Sequence, residues 1–271
     1  MYRETEQSER LYSKVAARYD NVFERAILSE GRLTELARET MDGRRVLDLA
    51  CGNGRWLERF TPREYVGLNL NEQMLGEARK RYGQKCDVPS RLSGTRSRPR
   101  FGDGRQGCPP HFIRGDMTTI PFADGSFDGV ISMFGAMGHL PREGQERMIR
   151  EVHRVLAPDG VAILTNGNLW SPFVLPTTLT GNRVRLEGLR FKVHSTTPNR
   201  FTAMLRGFRL LRLESYDHSF IPLLPIKFGA CILGLDYRRG YERTMDIYNH
   251  CRYILPLRWF GKQLVAVCQK A

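Results

Sequence analysis

Three residues in one short stretch could hold a small polar ligand: the carboxylate of Asp48 and two glycines, Gly52 and Gly54, which follow the apolar run 46–50. A glycine has no Cβ, so the backbone can approach a ligand closely there, and a helix start beyond it offers free N–H groups. A nucleotide-type ligand is implied. The spacing narrows the choice. A dinucleotide fingerprint needs a third glycine where this chain has Leu57, and an acidic residue on the next strand's end where it has Asn69. A phosphate loop needs Gly-Lys-Ser or Gly-Lys-Thr, and neither follows Gly52.

Elements must position these residues. The run 46–50 reads as a buried strand, followed by a helix near 55–60, a strand at 65–70 and a helix at 72–82. Further strands are expected at 111–114, 127–133 and 161–166, with a helix over 142–156 before the last and Pro158-Asp159-Gly160 as the turn between them. Strands alternating with helices imply a parallel sheet. Ahead of this unit, helical spacing from Leu11 to Phe23 predicts an N-terminal helix over 11–28, and a second covers 30–40, so residues 1–40 read as an arm and 41–271 as the main domain. Two insertions interrupt the rhythm: a Gly-, Ser- and Arg-rich loop at 83–110 and an apolar, aromatic cap at 220–262, between strand-like runs at 208–216 and 263–269.

The run Val46-Leu47-Asp48-Leu49-Ala50-Cys51-Gly52-Asn53-Gly54 resembles the first motif of the class I S-adenosylmethionine-dependent methyltransferases, and the resemblance extends over about 46–166. Tyr65 to Asn71 is similar to the family's second strand, Gly115-Asp116-Met117 to its third-strand end, and Arg154 to Gly160 to its turn into the fifth strand. The resemblance implies an α/β fold: a seven-stranded, mostly parallel sheet with helices on both faces and an antiparallel last strand, supplied by 264–267, between the sixth and the fifth. It implies S-adenosyl-L-methionine as cofactor, held by Asp48, Ala50, Cys51, Gly52 and Gly54, by Asn69 and Leu70 at the ribose, by Asp116 and Met117 at the adenine, and by Phe134. The family usually has Asp or Glu where Asn69 stands; an amide has a single accepting oxygen, so Asn71 is a candidate helper.

Methyl transfer asks mainly for alignment and exclusion of water, and a base helps where the acceptor loses a proton. His139, just beyond the fourth strand, is the candidate base; its other reading is a structural histidine at a helix start. Tyr12 and Tyr19 match the aromatic lid of small-molecule methyltransferases, or simply pack an amphipathic helix. The Asp-Pro-Pro-aromatic signature of nucleobase amino methyltransferases is absent after the fourth strand, where Ser132 to Gly135 stands. A small organic acceptor is therefore expected: a natural product, or a lipid-like or quinone-like metabolite. The alternatives are an RNA or protein methyltransferase using a basic surface, or a non-catalytic cofactor-binding protein.

Composition sets the outer bounds. At 271 residues, with 41% hydrophobic and 26% charged side chains, the chain has ordinary globular proportions. Its net charge of +13 rests on Arg far more than on Lys and is scattered, which fits codon bias as well as a nucleic-acid face. The six cysteines form no CxxC pair and no metal-ligand spacing, and the polar start MYRETEQSER lacks a secretory pattern. No metal, no transmembrane segment and a cytoplasmic location are expected; the oligomeric state is not encoded in any motif.

Overall fold

Runs of buried apolar residues form seven paired strands: β1 (Arg45–Leu49), β2 (Glu64–Asn69), β3 (His111–Arg114), β4 (Phe127–Ser132), β5 (Leu156–Gly167), β8 (Phe208–Tyr216) and β9 (Gln263–Lys270). A separate hairpin, β6 (Arg183–Leu186) and β7 (Leu189–Lys192), lies between β5 and β8 in the chain. The computed structural model describes residues 2–22, 31–83, 109–172, 174, 175, 178, 181, 183–186, 189–217 and 259–271. The expected basic loop and apolar cap thus fall almost wholly outside the described residues.

The sheet order is β3-β2-β1-β4-β5-β9-β8, with β9 antiparallel to both its neighbours. This is the expected seven-stranded fold. The strand order reverses between β1 and β4, and open α/β sheets bind ligands in the crevice beyond the carboxyl ends at such a point. Four of the five residues of β1 are buried, as a strand covered on both faces requires.

Six helices accompany the strands among the described residues: α1 (Arg3–Val15), α2 (Tyr19–Val22), α3 (Gly31–Met41), α4 (Glu72–Tyr82), α5 (Arg142–Val155) and α6 (Pro198–Met204). One face of the sheet packs against Leu33, Leu36 and Met41 of α3 and Leu75 and Ala78 of α4. The other packs against Met148, Ile149, Val152 and Val155 of α5 and Phe201 of α6. The spacing of the α5 residues is the helical one that places them on a single side. Helix α6 is started by Thr197, whose hydroxyl accepts from the Arg200 N–H, with Pro198 in the first turn.

Several elements depart from the sequence reading. The arm helix begins at Arg3 rather than near residue 11, and breaks after Val15 into a 3-10 turn (Ala16–Arg18) before α2. The stretch expected as a helix at 55–60 is a single 3-10 turn, Arg55–Glu58. Residues 158–160 belong to β5, but the pairing jumps from Phe127 opposite Leu156 to Gly129 opposite Val161, so the intervening residues bulge, with Asp159 at φ +60°.

Candidate active site

The turn after β1 and the turn after β4 face each other across the switch point. Ala50, at φ +59°, begins the first; Phe134, at φ +62°, begins the second. A non-glycine residue in this left-handed region costs roughly 1–2 kcal/mol, and such strain concentrates at functional sites. Both residues line one cavity. The Phe134 turn is held from β5: the Gly135 N–H donates to Thr165 Oγ1 (2.8 Å), whose hydroxyl donates to the Ser132 carbonyl (3.0 Å).

The cavity encloses about 80 Å³ and brings together Asp48, Ala50, Cys51, Gly52, Asn69, Phe134 and His139 with Tyr12 and Tyr19 of the arm. Asp48 is buried and accepts a hydrogen bond from the Tyr65 hydroxyl. Burial pushes its carboxyl up to about 7, against the opposing pull of that bond and of Arg55. The two glycines serve different ends. Gly52, at φ +59°, borders the cavity, where a Cβ would stand 3.2 Å from Met74. Gly54, at φ +76°, lies outside it; a Cβ there would meet the Phe112 and Tyr82 rings at 2.9 Å, so this glycine is needed by packing beneath the turn.

The arm is fastened over the cavity through His139. Ser8 Oγ lies 2.8 Å from Nδ1 and Tyr12 Oη 2.8 Å from Nε2, so both ring nitrogens are occupied by hydroxyls of α1. The Tyr12 ring meets the imidazole edge-on at 5.4 Å, and Phe191 of the hairpin tilts against it at 5.7 Å. Burial lowers the imidazole to about 4, keeping it neutral at pH 7, and pushes the Tyr12 phenol upward. A second fastening comes from Asn71. Its Oδ1 accepts from the Met74 N–H, starting α4, while its Nδ2 donates to the Glu9 carbonyl (2.9 Å) and Ser13 Oγ (2.7 Å). Asn71 therefore turns its side chain toward the arm, while its N–H donates to Asn69 Oδ1 (2.9 Å).

Residues 46–160 match the sequence pattern of the methyltransferase-domain family. Residues 46–160 carry a methyltransferase domain of the class I S-adenosylmethionine-dependent type. An uncharacterized protein of Methanocaldococcus jannaschii is 27% identical over 208 residues, 76% of this chain and 69% of that one. The Thermotoga maritima demethylmenaquinone methyltransferase is 29% identical over 237 residues, 79% and 90% of the two chains. The match to the sterol 24-C-methyltransferase of Gibberella zeae, 30% identical over 146 residues and 53% of this chain, spans about a third of that protein. Among solved structures, a S-adenosylmethionine-dependent methyltransferase of Thermotoga maritima superposes with a TM-score of 0.59 at 13% identity, covering 97% of this chain and 99% of that one, which shows the shared fold.

S-adenosylmethionine is the cofactor of this methyltransferase, and the cavity's donors and acceptors fit it. Asn53 Oδ1 is buried without a hydrogen-bond partner among the described residues, an acceptor suited to the ammonium of the methionine end. Arg55, buried against the rings of Trp56 (5.6 Å) and Phe134 (5.5 Å), offers a cation to its carboxylate. Both border the cavity, and neither was singled out from sequence, although they flank Gly54 directly. Leu70, Asp116 and Met117 stand outside the lining; Asp116 Oδ1 accepts from the N–H and hydroxyl of Thr118, both at 2.8 Å, a turn-forming role. Cys51 borders the cavity as a free thiol that burial pushes well up and leaves unreactive.

Proposed function

We propose that this methyltransferase, working in the cytoplasm, methylates a small apolar acceptor, lipid-like or quinone-like, within the cavity closed by the arm. The observation that carries the reading is the wall: Tyr12, Tyr19, Trp56, Met133 and Phe134 surround the polar residues of the β1 turn. Such lining binds an apolar ring or chain by excluding water. The printed names of the Thermotoga maritima and Gibberella zeae relatives, a demethylmenaquinone and a sterol methyltransferase, support the same acceptor class. The enclosed 80 Å³ is far below the roughly 300 Å³ at the small end of ligand sites, so α1 has to lift for ligands to enter.

When bound, S-adenosylmethionine supplies an electrophilic methyl group on a sulfonium centre. Asn53, Arg55, Gly52 and Asn69 would hold its two ends, and the aromatic residues Tyr12, Tyr19 and Phe134 of the same lining would attract its cationic centre by roughly 0.5–2 kcal/mol. His139 is the base. Once α1 has lifted to admit the acceptor and closed again, an acceptor hydroxyl or amine takes the place of the Tyr12 hydroxyl at Nε2. The His139 imidazole would take up the acceptor's proton at Nε2, and the bound cofactor would supply the methyl group to the lone pair so exposed.

Incubation with methyl-labelled S-adenosylmethionine and fractionated cell extract tests the proposal. Label is expected in the organic-soluble small-molecule fraction. Label in RNA or protein overturns the acceptor class, and tight cofactor binding with no label in any fraction overturns the catalytic reading.

A further inference from the structure

On the face of the sheet covered by α5 and α6, a groove of about 900 Å³ opens between these two helices. Its floor is apolar, made by Ile149, Leu169, Met204 and Phe208, with the His153 ring edge-on to Phe208 at 5.0 Å. Its rims are cationic. Arg142 and Arg150 rise from α5, eight residues and so about 12 Å apart along one helix face. Arg200 of α6 and Arg206 of the following turn stand on the opposite rim. Glu146 is the one carboxylate in the lining, and it is paired with Arg142 at 3.0 Å. Among the described residues Arg150, Arg200 and Arg206 have no carboxylate partner.

This groove is separate from the cofactor cavity. A buried polar wall divides them: the His194 N–H donates to the Gly138 carbonyl (2.7 Å), Gln145 Nε2 to the His194 carbonyl (2.9 Å), and Asn166 Nδ2 to Gln145 Oε1 (3.1 Å). The methyltransferase reading does not use it. Guanidinium groups stay charged at every physiological pH, shed water readily and present a planar fork that pairs bidentately with phosphate oxygens. Cations on two rims above an apolar floor complement a molecule with an oxyanion head and a hydrophobic body. The hollow lies within the size range of small-molecule sites.

We propose that the groove between α5 and α6 is a second binding site, taking a free small molecule that carries a phosphate group on an apolar body. The site is independent of the identity of the methyl acceptor. Calorimetric titration with dodecyl phosphate below its micellar concentration tests it, beside inorganic phosphate, dodecyltrimethylammonium and a short single-stranded oligonucleotide. Dodecyl phosphate is expected to bind saturably and at least about ten-fold tighter than the other three. The double variant Arg150→Glu/Arg200→Glu is expected to lose about ten-fold or more of that affinity, and to keep the parent's affinity for S-adenosylmethionine. Arg38→Glu, a charge reversal on the opposite face of the sheet, should leave dodecyl phosphate binding unchanged. Equal losses in both variants, tighter binding of the oligonucleotide, or binding confined to phosphatidic acid vesicles would each overturn the assignment.

Discussion

The cavity beyond β1 and β4 encloses about 80 Å³ behind aromatic rings, while the groove between α5 and α6 holds about 900 Å³ and is rimmed by arginine. In the smaller hollow several polar groups are committed to neighbours: Asp48 to Tyr65, His139 to Ser8 and Tyr12, Asn69 to Asn71. In the larger one the guanidinium groups lie at the surface. Size therefore does not locate the chemistry in this molecule. The better markers are Ala50 and Phe134, two of the four left-handed non-glycine residues among those described, and the titratable groups displaced by burial, Asp48, His139, Tyr12 and Cys51, all gathered at the cavity.

Substitutions in the two regions should separate them sharply. His139→Gln is expected to lower kcat by about 10²–10⁴-fold, the usual contribution of a positioned base. Full turnover in a folded His139→Gln protein would assign the imidazole to arm closure alone. Gly54→Ala should cost roughly 2–5 kcal/mol, because a left-handed residue and an overpacked contact with Phe112 and Tyr82 add together. Urea denaturation would read this as a lower midpoint at unchanged slope.

Acid provides the next test. The His139 imidazole is lowered from 6.5 to about 4 in the fold, so the unfolded chain takes up a proton first as the pH drops. The stability this group contributes is complete above pH 6.5 and is lost as the pH falls toward 4. The loss is at most about 3 kcal/mol. Denaturation curves between pH 7 and 4 should show it, and the His139→Gln protein should lack this component. Tyr12→Phe removes one hydroxyl from the ring and should cost about 1 kcal/mol, with the His139 resonance in an NMR titration moving while cofactor binding persists. Arg150→Glu and Arg200→Glu, at the groove, should change folding stability by no more than about 0.5 kcal/mol.

Much of the fold is legible in the sequence because its signals are local. The buried run of β1, the glycines after it and the apolar spacing of α5 each follow from neighbours within a turn or two. The stretch after Gly54 misleads, because Arg55 and Trp56 are both buried and the chain turns away after a single 3-10 turn, which composition does not announce. The arm's grip on His139 is invisible for another reason. Ser8 lies 131 residues from His139 in a polar stretch, and only the tertiary path of α1 brings the hydroxyl to the ring. Asp116, assigned to the adenine by resemblance, also has a local tie that its sequence neighbours hint at, one oxygen accepting from the N–H and hydroxyl of Thr118.

The position of β9 bears on how the chain is made. This strand is synthesised after every other strand of the sheet, yet it lies inside the sheet, between β5 and β8. As the polypeptide leaves the ribosome, β5 therefore waits with an unpaired edge and β8 has no neighbour until residues 263–270 emerge. That interval exposes a long, apolar, hydrogen-bond-hungry margin to other nascent chains. A stop codon only a few residues upstream of β9 would remove the seam that joins β8 to the domain, so termination there would release a sticky, half-zipped sheet.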